Sequence, residues 1–131
     1  MATITLSNPA GVHPPSAAYS HAAVIEGGAK RLLISAQVGV APDGRVSSNA
    51  DEQIDQVFRN LGAVLSGHGL APRHIAKITA FLTDRLLIGP WRRKRDQWFE
   101  GHEAAATLLL VAGLADRRFV VEVEAEAVFP D

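Results

Sequence analysis

Three glutamates, Glu122, Glu124 and Glu126, alternate with apolar residues in the stretch Phe119–Val128 near the end of the chain. Such alternation is typical of a β-strand, and it places the three carboxylates on one sheet face and the apolar side chains on the other. Carboxylates side by side on one face repel each other by up to ~1 kcal/mol per close pair. The pattern leaves two interpretations open: the acids lie on a wet face, or the face borders a cavity or a subunit joint where one of the acids has a chemical role.

The five histidines of the chain show no spacing that would ligate a metal. They are scattered over loops and the ends of elements: His13, His21, His68, His74 and His102. No pair stands at i, i+4 with an acid at metal spacing, so we predict no metal site. Ser20 and His21 are neighbours in an extended stretch, so their side chains face opposite sides and cannot form a nucleophile–base pair. The chain has no cysteine, and we predict no cofactor.

The basic run Arg92–Arg95 could suggest nucleic-acid binding, but the charge of the whole chain argues against it. The net charge is −1, and no aromatic residues interleave with the run to stack on bases. No apolar run approaches the length of a membrane span, and the first residues do not read as a signal peptide. We therefore expect a cytoplasmic protein without membrane or nucleic-acid partners.

The length of 131 residues predicts a single domain, residues 1–131, that buries about 70% of its extended-chain surface. Strands are predicted at Ala2–Leu6, 22–26 and Arg31–Val40, with Gly27-Gly28 as a hairpin turn between the second and third. Apolar residues at helical spacing predict the clearest helix at Asn49–Leu65. Glu52 stands three residues after Asn49, in the manner of a capping box.

The second half of the chain continues with strands and one more helix. We predict a strand at His74–Asp84, a helix from Pro90 to Gly101, and strands at Thr107–Val111 and Phe119–Val128. The order β-β-β-α-β-α-β-β predicts an α+β fold in which one mixed sheet carries both helices on one face. The other face has too many apolar residues to sit in water, which predicts self-association.

Five short motifs, taken in their order and spacing, resemble the RidA/YjgF family of reactive-intermediate deaminases over nearly the whole chain. They are Tyr19-Ser20-His21-Ala22 after a proline-rich loop, Ile34-Ser35-Ala36-Gln37, Asn60-Leu61, Phe81-Leu82-Thr83-Asp84 and Val121-Glu122-Val123-Glu124-Ala125. The resemblance implies a chorismate-mutase-like fold. It also implies a homotrimer whose sheets form a central barrel with the helices outside, which agrees with the uncovered sheet face.

The resemblance also implies an activity and the residues that perform it. In the deaminase members, clefts between subunits bind a small 2-imino or 2-enamino acid. An arginine binds its carboxylate, a glutamate activates water, and a tyrosine and a Ser-Gly-Gln strand line the pocket. Water adds to the imine carbon, ammonia leaves, and a 2-keto acid results.

Four residues of this chain match or nearly match that pattern. The resemblance assigns the catalytic role to Glu122 and places Tyr19 and Ser35 in the pocket. Tyr19 could equally be a packing residue whose hydroxyl bonds to backbone. Ala36 stands where the family has glycine, so its methyl group lies where backbone should approach a ligand.

The most informative departure is Thr107, which stands where the family has its carboxylate-binding arginine. A charged hydrogen bond is worth about 1.5–3 kcal/mol, so its loss should weaken binding of an anionic imine at least tenfold. Arg92 occupies a second-helix position that is usually asparagine in the family. It compensates for Thr107 if its side chain reaches inward; otherwise it belongs to a solvated helix face, as exposed charge runs usually do.

Two functional hypotheses follow. The first is a trimeric enzyme that hydrolyses a small imine or enamine, less anionic than one derived from an amino acid, with Glu122 and a water in the cleft. The second is a binding or regulatory module that keeps the trimer and its clefts but only sequesters a small metabolite.

Overall fold

The computed structural model, which describes residues 3–11, 14–27 and 30–130, contains a four-stranded sheet, a separate strand pair and two α-helices. In chain order the elements are β1 Thr3–Ser7, β2 Ala22–Glu26, β3 Arg31–Val38, α1 Ala50–Gly67, β4 Ile75–Leu82, α2 Ile88–Phe99, β5 Ala105–Leu110 and β6 Val121–Val128. Short 3-10 turns at Pro72–His74 and Arg85–Leu87 precede β4 and α2. The predicted α+β class and order of elements are confirmed.

The four-stranded sheet is mixed and has the strand order β3-β6-β4-β5. Strands β4 and β5 are parallel, because α2 carries the chain back across the sheet between them, whereas β6 is antiparallel to both its neighbours. Both helices pack against one face of this sheet in a single hydrophobic cluster. Alternate residues of β4 and β6 enter that cluster, among them Ile78, Leu82, Val121 and Val123.

The predicted hairpin between β2 and β3 is wrong. Strand β2 pairs antiparallel with β1, and these two strands form a sheet of their own. Strand β3 pairs instead with β6, which buries Ile34 opposite Ala125, and it ends at Val38 rather than Val40. The burial of an apolar strand face outweighs the local turn signal. Gly28 of that turn lies outside the described residues, as does Ala2 of the first predicted strand.

Helix α1 begins as predicted. The Asn49 Oδ1 atom accepts a hydrogen bond from the backbone N–H of Glu52 at 3.1 Å, which satisfies one of the free donors of the first turn. The Glu52 carboxylate accepts a hydrogen bond from the Ser47 hydroxyl just outside the helix. The predicted apolar stripe is buried, with its members Ile54, Val57, Phe58, Leu61 and Leu65 in the core.

A polar residue, Gln53, shares the buried face of α1. Its Nε2 atom donates to the backbone oxygens of Ser47 at 2.8 Å and Arg118 at 2.7 Å, and its Oε1 atom accepts from the Val120 backbone N–H at 3.0 Å. Gly39, just after β3, lies so close that a Cβ atom there would be 2.8 Å from the Gln53 Cβ. Gln53 therefore joins the start of α1 to the segment that leads into β6.

The sheet face opposite the helices, which we call the helix-free face, carries apolar side chains beside the three glutamates. Leu33 of β3 is 71% exposed and Leu109 of β5 is 45% exposed, while Phe81 of β4 is half-buried. Large apolar side chains at such exposure on one sheet face are typical of a surface that a partner covers. The trimeric barrel stays a prediction that this face favours.

We expect Gln53→Met to destabilise the fold by at least about 2 kcal/mol. The substitution keeps the volume but removes the side-chain partner of three partly exposed backbone groups, and each hydrogen bond lost costs about 0.5–1.5 kcal/mol. Urea unfolding followed by circular dichroism measures the change. The matched control is Gln97→Met on the exposed face of α2, where the change should stay within about 0.5 kcal/mol. Equal effects of the two substitutions would contradict this account of Gln53.

Candidate functional site

The residues predicted for the site form two groups on the two sides of β4. Glu122, Ser35 and Ala36 lie on the adjacent strands β6 and β3. Tyr19, Arg92 and Thr107 lie around a cavity at β5, the opposite edge of the four-stranded sheet. One copy of the chain therefore brings each group together but does not bring the two groups into one pocket.

Glu122 differs from the two acids that follow it on β6. Its side chain is half-buried on the helix-free face, between Val38 of β3 and Phe81 of β4 in the strand register. No hydrogen bond or ion pair joins its carboxylate to the described part of the chain. Glu126, by contrast, forms an ion pair with Arg31 at 2.6 Å, and Glu124 is exposed. The alternating strand thus presents one sheltered carboxylate with free acceptor capacity.

Ser35 and Ala36 occupy a β-bulge in β3. The register against β6 shifts between Ile34 and Gln37, so the two residues fall where the regular pairing is interrupted. The Gln37 Nε2 atom donates to the Ser35 backbone oxygen at 3.1 Å across the bulge. Bulges bend a strand and change the direction of its side chains, and they are frequent beside active sites. The bulge lies close to Glu122, because Val38 is the strand partner of that acid.

The cavity at β5, which we call the β5 cavity, has a volume of about 230 Å³. It lies between α2, strands β4 and β5, and the segment 16–19, and is lined by Ser16, Ala17, Tyr19, Ile78, Ala80, Trp91, Arg92, Arg95, Ala106, Thr107 and Leu108. The segment is held to β5 because the buried Ser20 hydroxyl donates to the Glu103 backbone oxygen at 2.6 Å. Tyr19 is half-buried at the wall, edge-to-face with the ring of His21.

Thr107 lines the β5 cavity, but its hydroxyl is already engaged. The Oγ1 atom accepts a hydrogen bond from Lys77 Nζ at 2.7 Å on the neighbouring strand β4. Both side chains are exposed. A lysine on the next strand therefore brings a positive charge to Thr107.

The second helix contributes two arginines to the β5 cavity, and they differ sharply in burial. Arg92 is exposed at the cavity, whereas Arg95 is only 5% exposed. The Arg95 Nε atom donates to Asp96 Oδ1 at 3.0 Å. Its Nη2 atom is buried and has no hydrogen-bond acceptor in the described part of the chain.

Arg95 is not among the residues predicted for the site, and the exposure that is usual for charge runs does not hold for it. The spacing of the residues around it carries a signal that would have identified it. Arg95 stands four residues after Trp91 and four before Phe99, both buried, so the three share one face of α2.

The histidines in the described ranges have structural contacts rather than a common ligand position. His74 Nδ1 accepts from the Ala71 backbone N–H at 2.9 Å, and His102 Nε2 lies 2.7 Å from the Ile75 backbone oxygen. Burial lowers the pKa of His74, which favours the neutral ring that this acceptor role requires. Within residues 3–11, 14–27 and 30–130, no group of three or more acids and histidines could hold a metal ion. His13 lies outside these ranges.

None of the described helices is long and apolar enough to cross a membrane.

Comparison with known proteins relates the chain to one family. A sequence model of the family described as Endoribonuclease L-PSP matches residues 11–129. A RutC family protein of Aquifex aeolicus is 37% identical over 71 residues, so the match spans 53% of this chain and about half, 54%, of that relative. The structure of YyfB, a Rid family protein of Yersinia pestis, has a TM-score of 0.88 at 23% identity, with 96% of this chain and 98% of that one covered. The structure of RidA from an Antarctic Psychrobacter has a TM-score of 0.73 at 26% identity, with 94% of each chain covered. The chorismate-mutase-like fold implied by the resemblance is confirmed.

We expect Arg95→Met to leave the free protein equally stable or to stabilise it by up to about 4 kcal/mol. A buried guanidinium whose Nη2 atom has no acceptor in the described part of the chain is incompletely compensated, and an apolar side chain of similar length removes that desolvation cost. Thermal and urea unfolding in a buffer free of small carboxylates measures the change. Arg93→Met removes an exposed charge of the same helix and should change stability by less than about 0.5 kcal/mol. A loss of more than about 1 kcal/mol at position 95 would show that Arg95 stabilises the free protein.

Proposed function

Because the chain belongs to the RidA/YjgF family, whose sequence model is described as Endoribonuclease L-PSP, we propose that it hydrolyses a small imine or enamine to a carbonyl compound and ammonia. Membership of this family supports a small-metabolite-processing or an endoribonuclease-like role. The active form in this proposal is a cytoplasmic homotrimer with a reaction cleft at each subunit boundary.

The sheltered carboxylate of Glu122, which has no bonding partner within the described part of the chain, carries the proposal. A general base needs free acceptor capacity and partial exclusion from water, and of the three acids on β6 only Glu122 combines the two. Its position on the helix-free face also leaves it accessible to a second copy of the chain, because the helices pack on the other side of the sheet.

The reaction can be written with Glu122 as the base. The carboxylate accepts a proton from a water molecule as the water oxygen bonds to the imine carbon, and the imine nitrogen gains a proton to give a carbinolamine. Glu122 then passes its proton to the carbinolamine nitrogen, which leaves as ammonia, and the hydroxyl proton released to solvent as the carbonyl forms balances the proton that the imine nitrogen first took up from solvent. An enamine enters the same route after a proton adds to its carbon and turns it into the imine. One water is consumed and one ammonia released per turnover.

The separation of the two residue groups supports a site shared between subunits. Glu122 and the bulge lie at the β3 side of the sheet, and the β5 cavity lies at its other edge. If copies associate through the helix-free face and the sheet edges, the β3 side of one copy can meet the β5 edge of the next. The exposed Leu33 and Leu109 supply apolar area for that contact.

The positions of the basic residues on α2 support an RNA-cleaving role less well than the hydrolysis of a small molecule. Of its four consecutive basic residues, Arg95 is buried and Lys94 is paired with Asp55 of α1 at 2.7 Å. Arg92 and Arg93 remain as exposed cations, too few for a surface that binds a phosphate backbone.

The second candidate function is a binding trimer that sequesters a small metabolite without turning it over. The observation that favours it is Thr107, because a neutral hydroxyl already bonded to Lys77 replaces the arginine that holds a substrate carboxylate in the family's deaminases. Both candidate functions require a trimer, but only the first predicts turnover of an imine. Turnover and oligomeric state are therefore tested separately.

We expect Glu122→Gln to lower imine hydrolysis at least about 100-fold, the usual contribution of a general base. The substrates are imines formed in the assay by an amino-acid oxidase, and ammonia release is followed. Glu124→Gln removes a neighbouring exposed acid of the same strand and should retain most of the activity. Absence of turnover by the unmodified protein over a range of such imines would favour the binding trimer instead.

We expect Leu33→Glu to convert the trimer into a monomer. The new carboxylate would stand directly opposite Glu126 in the strand register, on a face that the proposal buries. Light scattering coupled to gel filtration measures the mass. Leu86→Glu, at a side chain 82% exposed in the turn before α2, is the matched control and should remain trimeric. A monomeric unmodified protein at micromolar concentration would rule out the trimer directly.

A further inference from the structure

Glu122 stands near the end of the ladder that joins β3 and β6. It is the second residue of β6, and its partner Val38 is the last residue of β3. Backbone hydrogen bonds at such ends open locally at little cost in free energy. A general base tolerates little movement of this kind, because a misplacement of about 1 Å can lower a rate on the order of 100-fold. The catalytic role proposed for Glu122 therefore requires that this end of the ladder is held.

Asn60 of α1 holds the end of β3. Its Nδ2 atom donates to the backbone oxygens of Val38 at 2.9 Å and Val40 at 3.0 Å. The Val40 backbone N–H donates to the same Val38 oxygen at 2.8 Å, so the chain makes a tight turn there. One helical turn before Asn60, the Gln56 Nε2 atom donates to the Asn60 Oδ1 atom at 2.8 Å. This bond orients the carboxamide of Asn60 with its donor toward β3.

Gln53 of the same helix holds the segment that leads into β6. Its Nε2 atom donates to the Arg118 backbone oxygen, and its Oε1 atom accepts from the Val120 backbone N–H, two residues before Glu122. The Val120 backbone oxygen accepts in turn from the backbone N–H of Thr83, just after β4, at 3.1 Å. Val120 is therefore bonded through both of its backbone groups, one to α1 and one to the end of β4.

The two carboxamides lie on one face of α1. Asn60 follows Gln53 by seven residues, about two helical turns, so both side chains leave the helix in nearly the same direction. One bonds the strand end that contains the partner of Glu122, and the other bonds the entry to the strand of Glu122 itself. The helix thus joins the two backbone segments whose pairing places the acid.

We propose that Asn60 and Gln53 are positioning residues for the reaction, which fix the backbone on both sides of Glu122 and thereby the place of its carboxylate. The inference rests on the proposed role of Glu122 as the base. Both residues act through the backbone from the side of the sheet that the helices cover, whereas the carboxylate lies on the helix-free face. Asn60, from a sequence motif to which no role was assigned, is thereby connected with the site.

The test compares Asn60→Ala with Leu65→Val, which shortens a buried side chain near the other end of α1. Both substitutions should lower the stability of the fold modestly. We expect Asn60→Ala to lower kcat for imine hydrolysis at least about tenfold and to change KM less than about threefold, because the base moves while the β5 cavity keeps its lining. Leu65→Val should leave both constants within about twofold. Gln53→Met should resemble Asn60→Ala.

A double variant separates positioning from a general loss of structure. In a protein that already carries Glu122→Gln, no base is left to position. Adding Asn60→Ala should therefore lower the residual rate less than about twofold, whereas a merely structural role predicts that the two losses multiply.

Hydrogen exchange followed by mass spectrometry measures the backbone without reference to activity. Peptides that cover residues 36–40 and 119–124 should exchange at least about tenfold faster in Asn60→Ala than in the unmodified protein. Leu65→Val should leave their exchange within about twofold, because opening at a strand end does not require global unfolding.

The proposal is overturned if Asn60→Ala retains the kcat of the unmodified protein, if Leu65→Val lowers kcat as much, or if the losses multiply in the double variant. Unchanged exchange at both strand ends in Asn60→Ala overturns it as well. These results leave the proposed function intact as long as Glu122→Gln is inactive. Full activity of Glu122→Gln, or no turnover by the unmodified protein, removes the base itself and overturns both proposals together.

Discussion

The alternation of side chains along β6 is the constraint on which the rest of the structure depends. Its apolar residues enter the core under both helices, and this requires Glu122 to stand on the opposite face. A register slip of one residue would bury the acids and expose the core. Gln53 opposes such a slip, because it bonds the backbone of Val120 just before the strand begins. The position of the candidate base and the stability of the core are therefore two results of one pairing register.

Much of the fold could be predicted from the sequence because the decisive patterns are local. The stripe of α1, its Asn49 cap and the alternation of β6 each lie within a few turns or residues. The partner of β3 could not be predicted this way, because the strand that buries Ile34 lies about ninety positions away along the chain. The bulge at Ser35 and Ala36 could not be predicted either, because a bulge exists only relative to the pairing register of the opposite strand.

The candidate site shows the same division. The catalytic role of Glu122 was inferred from the family resemblance and stays a proposal. The partial burial of its side chain between Val38 and Phe81 could not be inferred that way, because it depends on the order of the strands in the sheet. Arg95 was not singled out from the sequence, although its spacing from Trp91 places it on the buried face of α2. To predict the burial of a long basic side chain on an amphipathic helix, both its charge and its position in the helical repeat have to be considered. Its polarity alone does not determine which way it points.

The close approach of Gly39 to Gln53 limits how this chain can vary. A methyl group at position 39 would meet the Gln53 Cα atom at 2.9 Å as well as the Cβ atom, so a shorter side chain at position 53 could not make room for it. The added Cβ atom would meet the backbone of α1 itself. Any substitution there has to push α1 away from the sheet and loosen the link into β6. We infer that position 39, just after β3, tolerates no side chain.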